Sequence, residues 1–310
     1  MSTQITTAFV QQYGSNVFHL AQQKGSRLRG GVRTEMVVGK SRYFDRIGAA
    51  TAQKRTSRHA DTPQIDTPHS RRRVDLESFE YADLIDDQDK IRTLIDPTND
   101  YVLAAVWALG RSMDDEIIAA HGGTAVTGET GSGSQSLGNA QKLASVSGGA
   151  GSKLNVQALR RAKKIIDASD VDPSIPRYCS PSAEQMENLL SETETTSSDY
   201  NSVKALVQGE LDTFLGFKFI RQERNLVQSG SLSFNQTSGA VGSGSGDADT
   251  YEKVPAWAHD GMLLGLGKDI NARISERDDK SYATQVYACM DLGAVRMEEE
   301  KCVQILCVPS

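Results

Sequence analysis

Asp61-Thr62-Pro63-Gln64-Ile65-Asp66-Thr67-Pro68-His69-Ser70-Arg71-Arg72-Arg73-Val74-Asp75-Leu76 is the stretch on which the reading of this chain turns. Asp-Thr-Pro occurs twice, and each proline fixes its own φ and restricts the residue before it. The prolines stiffen a polar tip. Met36-Val37-Val38 opens a strand before it, and Arg73-Val74-Asp75-Leu76, with Phe79 and Tyr81, returns one after it. The pattern predicts a long extended hairpin with too few apolar residues to bury itself. Such a hairpin is marginal alone in water, so it lies on another surface, its own or a neighbour's.

Charge sharpens this reading. Lys40, Arg42, Arg46, Lys54, Arg55, Arg58, Arg71, Arg72 and Arg73 face only Asp45, Asp61 and Asp66, a balance of about +6. The next stretch carries Asp75, Glu77, Glu80, Asp83, Asp86, Asp87, Asp89 and Asp96 against Lys90 and Arg92, about −6. Either these are two solvated faces, or copies of the chain use the two signs to set register on one another. Reversing Arg71, Arg72 and Arg73 to Glu is then expected to leave the monomer folded and to block assembly.

A long helix follows. Asp96-Pro97 reads as N-cap and N1. Tyr101, Val102, Val106, Leu109, Met113, Ile117 and Ala120 form one apolar stripe, with Tyr101, Val106, Leu109, Met113 and Ile117 as its core, and Gly122-Gly123 ends it. Asp114, Asp115 and Glu116 oppose the macrodipole in its last turns and require outside partners or water. Residues 123–152 and 229–250 are rich in Gly and Ser and read as mobile loops. Between them the pattern predicts a helix over Asn155–Ala168, a capping box at Ser182-Ala183-Glu184-Gln185 opening a second, a third over Ser202–Gln208, and a strand at 217–220. Strands are expected at Ala256–Leu264, Tyr282–Met290 and Lys301–Val308. The last is apolar on both faces and therefore central and buried, with the long helix as its cover.

The totals exclude several classes. The 310 residues, of which 38% are hydrophobic and 24% charged, with net charge −6, fit one large domain or two, and give no reason to expect a strongly basic nucleic-acid binder. The longest apolar run, Val102–Leu109, falls far short of the ~20 residues that span a bilayer. The start, Met1-Ser2-Thr3-Gln4, has no signal-peptide pattern. Cys179, Cys289, Cys302 and Cys307 contain no Cys-x-x-Cys pair and read as free thiols. Five dispersed histidines offer no metal-ligand spacing. Gly128-Glu129-Thr130-Gly131-Ser132-Gly133-Ser134 lacks the Lys of a phosphate loop, and Gly265-Leu266-Gly267 lacks the third glycine of a dinucleotide fingerprint. No catalytic residue, cofactor or metal is expected. His259-Asp260 is the one position where an α+β enzyme could place a site.

The order arm, hairpin, long helix, inserted lobe and returning strands resembles the major capsid proteins of tailed bacteriophages, the Hong Kong 97-like fold. The residues that carry it are Arg42-Tyr43-Phe44-Asp45-Arg46-Ile47-Gly48, Arg58-His59-Ala60-Asp61-Thr62-Pro63, Asp66 through Arg73, Leu84-Ile85-Asp86-Asp87-Gln88-Asp89, Asp96-Pro97, and Ala108-Leu109-Gly110-Arg111-Ser112-Met113-Asp114-Asp115-Glu116-Ile117-Ile118.

The resemblance implies an α+β fold in four parts. These are an N-terminal arm over 1–35, making contacts through Phe9, Tyr13 and Phe18; an extended loop over 36–95; a peripheral domain over 96–124 and 251–310, containing the spine helix; and an axial domain over 125–250. It implies a structural subunit that forms pentamers and hexamers of an icosahedral shell around double-stranded DNA. Lys40, Arg42, Arg46, Lys54, Arg55, Arg58, Arg71, Arg72, Arg73, Asp83, Asp86, Asp87 and Asp89 would make contacts between subunits. It further implies separate scaffolding, portal and decoration proteins, non-specific contact with packaged DNA, no membrane, and a virion assembled in the bacterial cytoplasm. The alternatives are another oligomeric virion part, portal or tail, and the enzyme at His259 and Asp260.

Overall fold

The computed structural model describes residues 21–59, 61–62, 64–85, 98–148, 150–192, 213–229, 233–242 and 250–309. Phe9, Tyr13, Phe18, Asp86, Asp87, Asp89, the Asp96-Pro97 cap and the expected helix at 202–208 lie outside them. In chain order the strands are β1 (Arg33–Met36), β2 (Ser41–Ile47), β3 (His69–Asp75) and β4 (Glu77–Ile85), followed by helix α1 (Thr98–Gly122). Then come β5 (Ala125–Thr127), β6 (Gly133–Gln135), β7 (Lys142–Ala144), β8 (Val146–Ser147), β9 (Ala150–Gly151), α2 (Val156–Ala168), β10 (Arg177–Cys179) and α3 (Ala183–Ser191). The last are β11 (Thr213–Phe214), β12 (Phe217–Phe219), β13 (Val227–Ser229), β14 (Thr250–Ala258), β15 (Met262–Arg277), β16 (Ala283–Arg296) and β17 (Cys302–Cys307). The chain divides into two units. One contains residues 1–26, 78–112 and 268–291; the other contains 27–77, 113–267 and 292–310.

In the larger unit a seven-stranded sheet has the order β11-β12-β10-β14-β17-β7, with β13 on β14. All six residues of β17 are buried, as its two-faced apolar pattern requires. One sheet face, with Cys179, Val254, Ala256, Val303, Ile305 and Cys307, packs under α2 and α3 through Leu159, Ala162, Ile166, Met186 and Leu189. On α2, Asn155 accepts a hydrogen bond from the Ala158 amide at 2.7 Å and caps the helix. The last turns of α1 gather with Trp257 of the sheet: Leu28, Ile117, Ile118, His121, Pro255, Trp257 and Met262 line one small apolar space. So the expected cover of the buried strands is two-sided, with α1 as only part of it. The sheet also joins β10 and β12 of the middle segment to β14 and β17, across the expected boundary at 250/251.

Several expectations are corrected. Ala256–Leu264 is not one strand: β14 stops at Ala258, His259–Gly261 makes a tight turn, and β15 begins at Met262. Glycine is required at the end of this turn, since a Cβ on Gly261 would lie 2.7 Å from Lys301 Cβ. Met36-Val37-Val38 does not open the hairpin. β1 ends at Met36 and pairs in parallel with β15, Arg33 opposite Leu263 through Met36 opposite Leu266, and the hairpin begins at Ser41. Residues 123–152 are not one mobile loop. Ala125, Leu137, Leu143, Ala144 and Val146 are all buried, and β7 pairs with β17. Ser182 does not cap α3 with its side chain; its Oγ donates to Glu252 at 3.0 Å, while Glu223 accepts from the Ala183 amide at 2.6 Å.

In the smaller unit, the first part of α1 presents Ala105 and Leu109 as buried residues. Gly110 is where the chain crosses the helix: a Cβ there would meet Gly25 Cα at 2.6 Å and the Ser26 nitrogen at 2.7 Å. Arg111 fixes the crossing segment, donating to Gln22 Oε1 at 2.9 Å and to the Gln23 carbonyl at 3.2 Å. Tyr101, expected in the helix core, is 38% exposed, and Val106 is half-buried. β4 and the ribbon of β15 and β16 complete this unit, with Ser78 Oγ donating to Asp291 at 2.5 Å.

Candidate assembly surface

The hairpin of β2 and β3 pairs in register from Ser41 opposite Asp75 to Ile47 opposite His69. Directly opposed residues share a face, and successive residues alternate. One face therefore carries Arg42, Phe44 and Arg46 with Val74, Arg72 and Ser70. The other carries Tyr43, Asp45 and Ile47 with Arg73, Arg71 and His69. The first face is rooted in the protein. Val74 joins Ala125, Leu263, Val295 and Met297 in a buried cluster with Phe44 against it. A Cβ on Gly293 would sit 1.9 Å from the Asp75 carbonyl oxygen, so only glycine permits this approach.

Arg72 lies on that rooted face and is 1% exposed. Its Nη2 donates to both oxygens of Glu299, at 2.5 and 2.6 Å, and its Nε to the Met297 carbonyl at 3.3 Å. Burial lowers its pKa, with the Glu299 carboxylate opposing that shift. Arg46 donates to the same Met297 carbonyl. Arg296, fully buried, lies 3.5 Å from Glu299 and donates to the carbonyls of His121, Gly123 and Gln135 at 2.7, 2.9 and 3.0 Å. This corrects the reading of Arg71-Arg72-Arg73 as one exposed cluster. Strand alternation turns the middle arginine inward, where reversal would bury a carboxylate against Glu299.

The outward face is a surface. Arg71 pairs with Asp45 at 2.5 Å and Arg73 with Asp75 at 2.9 Å. Arg73 is raised by its hydrogen bonds to Asp75 and Tyr43. Exposed ion pairs of this kind contribute little to stability. Asp45, Ile47, His69, Ser70 and Arg71 line one side of a groove of about 690 Å³, with Thr127, Gly128 and Glu129 opposite. Ile47 is 70% and Val38 90% exposed. Lys40, Arg42, Lys54, Arg55 and Arg58 are all exposed, with Arg42 stacked over Phe44 and Arg55 donating to the Ser57 carbonyl. Asp83 on β4 accepts from Tyr81 at 3.4 Å and from the Leu84 amide at 2.9 Å.

The acidic turn of α1 has partners. Asp114, buried, accepts the amides of Arg27 and Leu28 at 3.0 and 3.1 Å. Asp115 pairs with Arg224 at 2.5 Å. Glu116 is half-buried, and its pKa is raised by desolvation and by Glu77 and Asp115. Asp260, the alternative enzymatic position, is held by Lys301 at 2.6 Å, and His259 faces the Tyr178 ring. Cys179, Cys302 and Cys307 are buried thiols whose pKa burial raises, Cys179 to about 12. Among the described residues no group of three or more His, Cys, Asp or Glu could hold a metal ion, and no helix is long and apolar enough to cross a membrane.

Solved structures share this arrangement over nearly the whole chain. A capsid structure of the cyanophage P-SCSP1u superposes with a TM-score of 0.71 at 13% identity, covering 100% of this chain and 96% of that one. The head structure of Helicobacter pylori bacteriophage KHP40 gives 0.70 at 11% identity, covering 99% and 98%. A structure from Mycobacterium phage Che8 gives 0.64 at 16% identity, covering 96% and 97%. The fold is thus the Hong Kong 97-like fold of tailed-phage capsid proteins. The family model for phage capsid proteins matches residues 5–309, and the chain belongs to that family. No curated protein matches the sequence. Family and fold together identify a major capsid protein, a component of the virion.

Proposed function

We propose that copies of this chain assemble, as pentamers and hexamers, into the icosahedral shell that encloses the phage's double-stranded DNA. In this reading the chain works by repeated contact and carries out no catalysis. Residues 1–35 act as the arm and 36–95 as the extended loop. Helix α1 with the C-terminal segment 251–310 forms the peripheral part, and 125–250 the axial part. Assembly takes place in the host cytoplasm with separate scaffolding, portal and decoration proteins, and packaged DNA is touched without sequence preference.

The observation that supports it most is the two-sided hairpin. Its inner face is anchored in its own subunit through Phe44, Arg72 and Val74, while its outer face keeps Arg71, Arg73 and exposed Ile47 at the surface, and the segment between the strands keeps Lys54, Arg55 and Arg58 exposed. The acidic segment of Asp83, Asp86, Asp87 and Asp89 supplies the complementary charge on a neighbour. Exchanging weak internal ion pairs such as Arg71–Asp45 for pairs between subunits loses little.

The double reversal Arg71→Glu with Arg73→Glu is therefore expected to keep the circular dichroism and unfolding midpoint of the parent. Sedimentation is expected to find capsomers and shells lost. Shells of normal size and yield from this variant would remove the outer face from the interface.

A further inference from the structure

The hub at the hairpin's root does more than stabilise. We infer that Glu299 is a positioning residue that sets the direction in which the extended hairpin leaves the subunit.

The turn bearing Glu299 is itself fixed. The Met297 amide donates to the Gly261 carbonyl at 2.8 Å, the Cys302 amide to the Glu299 carbonyl at 3.1 Å, and the Ala258 amide to the Lys301 carbonyl at 2.9 Å. Lys301 ties the same turn to Asp260 at 2.6 Å and to Glu298 at 3.3 Å. Both hairpin strands are gripped by this one turn. Arg72 of β3 reaches Glu299 with two short hydrogen bonds, and Arg72 and Arg46 of β2 share the Met297 carbonyl.

Glu299 also faces Arg296, so one carboxylate lies between two guanidiniums, and the Arg46 charge acts on Arg72 as well. Charge-assisted bonds from the one nitrogen Arg72 Nη2 to both oxygens of Glu299 hold the carboxylate square to the guanidinium and restrict orientation as well as distance. Farther out, the described residues from Gly48 to His59 are all exposed, so among the described residues the hairpin takes its course from its root. The carboxylate at position 299 thus holds β3 to a rigid turn, and the Met297 carbonyl of the same turn takes Arg46 of β2. Without the carboxylate the three cations repel, and the hairpin root keeps only the apolar cluster around Val74, the Met297 carbonyl and the backbone pairing with β5, none of which opposes that repulsion.

That neighbours use the hairpin rests on the function proposed above; that Glu299 aims it does not. The test is hydrogen exchange on the unassembled full chain with Glu299→Gln. Amides of β2 and β3 are expected to exchange at least tenfold faster, while those of β14 and β17 keep their protection. Equal acceleration in all four strands, or none in the hairpin, would overturn the inference.

Should the Gln variant fail to fold, Glu299→Asp retains the charge but shortens the reach. It is expected to loosen the hairpin alone, by a smaller factor, and uniform loosening would again overturn the claim. Assembly of Glu299→Gln separates the two ideas. Loosened hairpins with shells lost or irregular support both. Loosened hairpins with normal shells support the positioning role and count against the hairpin as an intersubunit contact.

Discussion

Arg72→Glu is expected to destabilise the subunit by about 3–5 kcal/mol, the range found when one partner of a buried ion pair is removed. Arg72 is 1% exposed and holds Glu299 with two hydrogen bonds. Its replacement would set two carboxylates against each other at a site where the Glu299 side chain is only 18% exposed. Against a typical domain stability of about 5–15 kcal/mol, that is a large share of the whole. Arg71, one residue away, has a side chain 46% exposed, and its reversal is expected to change stability by no more than about 0.5 kcal/mol. Urea unfolding of the two single variants checks the contrast directly. Equal midpoints would mean that Arg72 is not held in its pocket.

The second large effect is a dependence on acid. His121 lies at the end of α1, is 2% exposed, and its ring makes a hydrogen bond through Nε2 to the Ala256 carbonyl at 3.3 Å. The Trp257 ring stands edge-on at 6.1 Å, and the Arg296 guanidinium donates to His121's own carbonyl. Burial lowers the imidazole pKa to about 4 from 6.5, the nearby Arg296 charge adds to the shift, and the hydrogen bond to Ala256 opposes it.

A folded-state pKa below the unfolded one means the unfolded chain binds the proton more readily. The neutral ring's contribution is present in full above pH 6.5 and is lost as pH falls from there to about 4. The loss is about 3 kcal/mol over that window. Glu116 acts with the opposite sign, because its pKa is raised in the folded chain. Comparison with His121→Asn isolates the histidine: the parent should lose about 3 kcal/mol more than the variant between pH 7 and pH 4. Parallel stability profiles would show that His121 charges freely in place.

The sequence made the architecture legible where one pattern dominates. Proline-stiffened residues before the Arg73-Val74-Asp75 strand pattern announce a hairpin, although its first strand is Ser41–Ile47 and not 36–38, and a stripe at three and four residues announces α1. Both follow from local periodicity. What stayed hidden depends on contacts distant in sequence. Three consecutive arginines look like one patch, yet the period of two that defines a strand already separates Arg72 from its neighbours. Which side is buried is shown only by partners far later in the chain, Glu299, Val295 and Met297.

The Gly- and Ser-rich stretches look mobile because averaging hides single anchors such as Leu137, Leu143 and Phe234, which are all buried. The break at His259–Gly261 carried a signal, Asp260-Gly261, a turn dipeptide masked by apolar residues on both sides. Ser182 had the capping pattern, but buried Glu252 needed a donor and took its hydroxyl. Of the surface itself, the charge reversal between 40–73 and 75–96 was visible from the start. Its division into a rooted face and an outward face was not, because that division is set by packing on Val295 and Met297.

Electron microscopy of the purified chain under assembly conditions, with its scaffolding partner where one is needed, tests the proposed shell most directly. Closed icosahedral particles with fivefold and sixfold capsomers, each subunit's hairpin lying across its neighbour with Arg71 and Arg73 at the contact, are the expected result. Rings of one fixed symmetry would contradict it, as would closed shells in which the hairpin touches only its own subunit.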